Sequence, residues 1–202
     1  MTAKTANVIP LPLLAEGIPP RPPASLDPVL DAATLCIAAR GLSRTTMSDI
    51  ARELGVAPST VYRKVGSVEN AAWLVAAREA HALFDRLVEL TLPVEGARKV
   101  TVVVAEGVRT AWDNPVFAKI MRDEPDFLGR ALTRRATALL EQGVTLLAPF
   151  LAAGMDLGLI RRQDPEALAH WVVRIAAIAL AAPPPGDLQA ALDAVLLPML
   201  QP

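Results

Sequence analysis

The apolar positions of this chain recur every three to four residues over most of its length, and no run alternates with period two. That pattern predicts helices and no strands. It is sharpest between Met47 and Gly66. Met47, Ile50, Ala51 and Leu54 fall on one helical face. Gly55 then supplies a residue tolerant of positive φ, and Pro58 pre-sets φ at the opening of a second short helix. Ala51 is small where the second helix must come close, and Val56 and Val61 are placed to fill the angle between the two. Two short helices joined this way form a helix-turn-helix, whose second helix enters the major groove of DNA.

The flanking sequence extends the same reading. Asp27-Pro28 has the form of an N-cap followed by proline at the first helical position, and Leu30, Ala33 and Ile37 carry an apolar face until Gly41 stops it. Thr46 with Asp49 three residues on approximates a capping box, so a second helix starts at about Met47. Ser67 caps a fourth helix, with Glu69 in its first turn, that runs to about Thr91. A fifth spans about Glu95 to Asp113, and Asn114-Pro115 opens a short sixth. The seventh runs from about Asp126 to Ala153, with a kink expected at Pro149 and a break at Gly154 and Gly158. Asp164-Pro165-Glu166 opens an eighth that ends before Pro183-Pro184-Pro185, and Asp187 caps a ninth that reaches about Leu197. The fold class is all-α with about nine helices: a flexible proline-rich arm over residues 1–25, a helix-turn-helix domain over 26–70 and a larger helical body over 71–202.

The last two helices are apolar on more than one face. Leu168, Trp171, Val172, Ile175 and Ile178 form one stripe of the eighth, Ala169, Ala176, Ala177 and Ala181 a second, and Leu188, Leu192, Val195, Leu196 and Met199 repeat in the ninth. Such helices are buried on both sides. Either they bury within one subunit, or they pack against their symmetry copies as a four-helix interface with Leu168, Ile175, Leu188, Leu192 and Leu196 as dimerisation residues.

Composition agrees with an association. Of 202 residues 52% are hydrophobic, and mean hydropathy is positive, more than a monomer of this size needs to fill its core. A partner chain or ligand is expected to cover the excess, and the inference is a homodimer. Net charge is −1, which excludes a polyanion binder overall. Between Arg44 and Lys64, however, Arg44, Arg52, Arg63 and Lys64 outnumber Asp49 and Glu53, enough for a salt-dependent grip on phosphates. The single cysteine excludes an intramolecular disulfide. No apolar run reaches the roughly 18 uncharged residues that suggest a membrane span; the longest, Leu168 to Ala182, contains His170 and Arg174. The N-terminus is a poor signal peptide, and a cytoplasmic protein without membrane association is expected. Pro10, Pro12, Pro19, Pro20, Pro22 and Pro23 make the first 25 residues an extended arm, either a solvated tail or a reach into the minor groove through Lys4 and Arg21.

The segment LDAATLCIAARGLSRTTMSDIARELGVAPSTVYRKVGSVENA resembles the DNA-binding head of the TetR family of transcriptional regulators. The resemblance rests on Asp31-Ala32-Ala33, Gly41, Thr45-Thr46, Ile50-Ala51, Gly55-Val56, Ser59-Thr60, Tyr62 and Ser67, spread over about 45 residues. Three positions depart from it. Lys64-Val65 stands where the family usually has His-Phe, Val68 where it usually has lysine, and Ala57 where a capping serine is common. The resemblance implies a repressor of a palindromic double-stranded DNA operator, released by a small apolar ligand. Ser59, Thr60 and Tyr62 are expected to reach bases or phosphates, and Arg44, Thr45, Thr46, Arg63 and Lys64 to complete the contact.

It also implies a ligand cavity in the body. Arg109, Trp112, Phe117, Met121, Phe127, Trp171 and Arg174 are the candidates, with ordinary core packing the alternative for each aromatic. Arg174 lies in an apolar stretch and must be paired or aimed into a cavity. No catalytic residues, cofactor or metal site are expected: Cys36 has no nearby histidine, and His81 and His170, the only two histidines, lie far apart in sequence. The alternative function is a helical ligand carrier or interaction protein whose head has lost DNA binding, which Val68 and the weak charge would allow.

Overall fold

The computed structural model of the protein describes residues 20–202, apart from the side chains of Val88, residues 125–136 and Leu139. Most of the proline-rich arm, with Lys4, lies outside the described residues. Ala24–Leu26 form a single 3₁₀ turn. Nine α-helices follow: α1 (Asp27–Arg40), α2 (Met47–Leu54), α3 (Pro58–Val65), α4 (Val68–Thr91), α5 (Arg98–Asp113), α6 (Pro115–Asp123), α7 (Pro125–Asp156), α8 (Pro165–Ala181) and α9 (Leu188–Leu200). The described residues contain no strand.

The expected starts are set by the expected chemistry. The side chains of Asn114, Asp164 and Asp187 each accept backbone N–H bonds at the openings of α6, α8 and α9, and Ser67 accepts from the Asn70 amide at the start of α4. Asp27 is already the first residue of α1 rather than its cap, which falls to Leu26. The break placed at Gly154 is also corrected. The helix runs on to Asp156, and the chain turns at Gly158, the position with positive φ; the Leu159 and Ile160 amides return to the Gly154 carbonyl.

Two compact units divide the chain, and α4 and α7 contribute to both. One comprises Pro19–Ala82 with Ala111–Arg134, the other Leu83–Thr110 with Arg135–Pro202. The first has a core of Val29, Leu30, Ala33 and Ile37 from α1, Met47, Ile50 and Ala51 from α2, Val61 and Val65 from α3, Ala71 and Val75 from α4, and Val116 from α6. Thus α6 packs with the helix-turn-helix rather than with the body that follows it in sequence.

The second unit has its own core, built on Val100, Val104, Phe150, Leu151, Val172, Leu196 and Leu200. A Cβ on Gly143 would stand 2.8 Å from Val173 Cγ1, so α7 and α8 are close here because position 143 has no side chain. The Thr101 hydroxyl donates to the Asp193 carboxylate, which also receives Gln189 and pairs with Arg98, tying α5 to α9. Arg161 donates from its amide to the Leu200 carbonyl and from its guanidinium to the Pro198 and Gln201 carbonyls, satisfying the C-terminal end of α9. Leu168, Leu192 and Leu196 are buried inside this core, and Ile175 and Leu188 pack half-buried against it. For the first three, the expectation that they form an interface is corrected: the chain itself covers them. The large apolar side chains exposed on the same helices are Trp171, Ile178 and Val195, at 62%, 65% and 54%.

Candidate nucleic-acid interface

The α2–α3 pair is built as its sequence dictates. The Thr46 hydroxyl accepts the Asp49 amide while the Asp49 carboxylate accepts the Thr46 amide at 3.0 Å, a reciprocal capping box. The Thr46 hydroxyl also donates to that carboxylate at 2.7 Å, and Arg40 and Arg52 pair with its other oxygen. These bonds, from the Thr46 side chain foremost and then from Arg40, hold the Asp49 carboxyl far below the ordinary carboxylate range. At the far end Gly55 adopts φ 66°, and the Val56 and Gly55 amides close on the Ala51 and Arg52 carbonyls. Val61 and Val65 anchor α3 to the core. Val56, expected to share that task, is exposed.

Burying Val61 and Val65 turns the opposite side of α3 outward. Ser59 and Arg63 stand across the helix from the buried pair, with Tyr62, 56% exposed, beside them. Thr60 is half-buried. Ala57 caps the helix without a side-chain bond, as its methyl requires.

The remaining expected contacts divide. Arg44 is exposed, and its Nε donates to the Arg40 carbonyl at 2.9 Å. The Lys64 ammonium reaches back to the Ser25 carbonyl at 3.3 Å, tying the end of α3 to the turn before α1. Thr45 is corrected: it is buried, and its hydroxyl donates to the Gly41 and Cys36 carbonyls, so the side chain serves the loop and not a ligand. Cys36 is buried, and burial raises its thiol pKa.

One contact had no signal in the sequence. Glu124, after α6, accepts the Ser43 amide with both carboxylate oxygens at 3.2 and 3.1 Å, from 81 residues away. Gly41, with φ 89° and ψ 162°, makes room for it. Thus α6 grips the loop that leads into α2.

The candidate ligand residues fall in different surroundings. Trp112 and Phe117 meet edge to face at 5.8 Å, and the Trp112 Nε1 is buried with no acceptor among the described residues. Met121 is half-buried, and the Phe127 side chain lies outside the described residues. Arg109 pairs with Glu106 on its own helix. Arg174 is exposed and bonds the His170 carbonyl and ring on its own helix, so the expected pairing with a carboxylate or aim into a cavity is corrected, and Trp171 is exposed as well.

Residues 29–67 match the family model described as "Bacterial regulatory proteins, tetR family". No curated protein sequence matches the chain. Among solved structures the chain is similar to the TetR-family repressor AlkX of Dietzia sp. strain DQ12-45-1b, implicated in n-alkane biodegradation. Identity is 23%, coverage 89% of this chain and 96% of that one, and TM-score 0.61. It is similar to a TetR-family regulator of Pectobacterium atrosepticum at 19% identity, with coverage of 89% and 98% and a TM-score of 0.66. The repressor SmeT of Stenotrophomonas maltophilia, solved with triclosan, gives 21% identity, coverage of 88% and 92%, and a TM-score of 0.61.

Proposed function

We propose, for a chain whose head is a TetR-family DNA-binding head and whose length has that family's fold, that this DNA-binding transcriptional regulator acts as a homodimeric repressor, released from a palindromic operator by a small apolar ligand. The observation that carries the reading is α3. It is locked to the core through Val61 and Val65 while Ser59, Tyr62 and Arg63 stand outward for base edges and phosphates. Arg44 and Lys64 add phosphate contacts, the latter by exchanging the Ser25 carbonyl for a phosphate oxygen.

The dimer is assigned to the exposed Trp171, Ile178 and Val195 of α8 and α9. Release is assigned to movement of α4, which supplies Ala71 and Val75 to the head core and Phe84 to the core of the body. Half-site centres lie about one helical turn, ~34 Å, apart, so a shift of a few Å between heads is enough to lose the second half-site. The likeness to SmeT, solved with triclosan, supports a small-molecule effector. No membrane partner is proposed: among the described residues no helix is long and apolar enough to cross a bilayer.

Selection of DNA from a random pool by the purified protein tests the reading. A palindrome with that spacing is expected, bound with an affinity that falls as salt rises. The competing reading, a carrier with an inactive head, draws on Val68 and on the tie of Lys64 to Ser25. A pool that emerges without enrichment removes the repressor and leaves the carrier reading standing.

A further inference from the structure

Lys99 is 1% exposed, and among the described residues its Nζ has no hydrogen-bond acceptor. It lies in the first turn of α5, where the helix dipole presents its positive end and where no acidic side chain stands. The other cation of that turn, Arg98, is committed to Asp193. Ala97 and Val100, on either side along the chain, belong to the body core. Desolvation pushes the lysine pKa down. An ammonium in this setting lacks the counter-charge that buried cations ordinarily have, and an apolar side chain of the same reach would fill the space without the cost.

We propose that Lys99 is the binding partner for the negative group of an amphipathic anion, a carboxylate on an apolar tail, taken into the body core. The carboxylate supplies the acceptors that Nζ lacks, the positive end of α5 adds to the attraction, and the tail packs against aliphatic side chains. A neutral molecule with the same tail leaves the ammonium orphaned, and a cation adds a like charge, so the site discriminates by charge. This changes the effector of the regulator reading from an apolar molecule to an amphipathic anion, and it rests on that reading for the release of DNA but not for the binding itself.

Decanoate, 1-decanol and decylamine, titrated into the full-length protein by calorimetry and thermal shift, share one tail and differ in charge. Decanoate is expected to bind and raise Tm, with the other two weaker by ~10-fold or more. Lys99→Met is expected to abolish that preference while melting no lower than wild type without ligand. Equal binding of decanol and decanoate by wild type, no binding of decanoate, or an undiminished decanoate affinity in Lys99→Met overturns the proposal. If Lys99→Met does not fold, the three-probe comparison on wild type decides alone. The DNA selection is scored separately. Lys99-dependent decanoate binding by a protein that selects no DNA keeps the anion site and removes the regulator reading; a selected palindrome with no preference for decanoate does the reverse.

Discussion

Replacing Gly41 by alanine tests the grip of α6 on the loop before α2. Gly41 sits at φ 89° and ψ 162°, a region that side-chain-bearing residues enter at a cost of ~1–3 kcal/mol. The new Cβ would lie 2.5 Å from Glu124 Oε1, well inside contact distance. The carboxylate must then withdraw from the Ser43 amide, which it holds at 3.2 and 3.1 Å. Losing a charge-assisted bond costs ~1.5–3 kcal/mol when buried; at this exposed position ~1 kcal/mol is the better figure. Gly41→Ala should therefore destabilise by roughly 2–4 kcal/mol, measured by urea denaturation at fixed protein concentration. Glu124→Ala should cost about 1 kcal/mol by itself. Because it also removes the atom that the Cβ strikes, the double variant should be less destabilised than the two changes added together, by about 1 kcal/mol. A Gly41→Ala protein within ~0.5 kcal/mol of wild type would refute the backbone argument, and strict additivity would show that Glu124 is not what the Cβ meets.

Thr46→Ala removes the cap of α2 and should cost ~1–2 kcal/mol in the same assay, with no loss if the box is idle. The folded Asp49 carboxyl titrates below its unfolded value of about 3.9. Its stabilisation is therefore full above that value and is lost as pH falls through the folded one; the stability gap between wild type and Asp49→Asn should narrow from pH 6 to pH 3, and a constant gap refutes the assignment. Arg63→Ala should weaken operator binding and flatten the salt slope by about one unit; an unchanged slope in gel shifts removes its phosphate contact. Ile178→Glu should yield a folded monomer in sedimentation at micromolar concentration, whereas Leu192→Glu, which buries its charge in the chain's own core, should unfold the protein; a dimeric Ile178→Glu protein places the interface elsewhere.

The head was legible because its determinants are local. The capping box at Thr46, the positive φ at Gly55, the turn into Pro58 and the buried Val61 each follow from residues within a few positions of one another. What escaped the sequence is what depends on distance along the chain. The contact between Ser43 and Glu124 spans 81 residues, and no periodicity marks either partner. That α6 packs on the head core through Val116 and Ile120 was equally hidden, since the amphipathic pattern of a nine-residue helix says that one side is buried but not against which core. Thr45 shows a different limit. A threonine beside a helix start reads as a polar contact, and only the fold shows its hydroxyl turned inward to two carbonyls.

The helices α8 and α9 sharpen that distinction between composition and phase. A helix with leucine, valine, isoleucine and alanine all round gives no preferred direction from which to tell core from interface. The fold breaks the tie. Close approach at Gly143 draws α8 onto α7. Leu168 and Val172 then lie in the core, while Trp171 and Ile178, seven residues apart and so on one face, are left exposed. On α9, Leu192, Leu196 and Leu200 turn inward by the same spacing and leave Val195 outside. The residues that best fill a core are therefore poor markers of an association surface on such helices. The informative ones are the large side chains that the chain does not cover, and a tryptophan and an isoleucine in register on one exposed face are what an isologous contact with a second copy would bury.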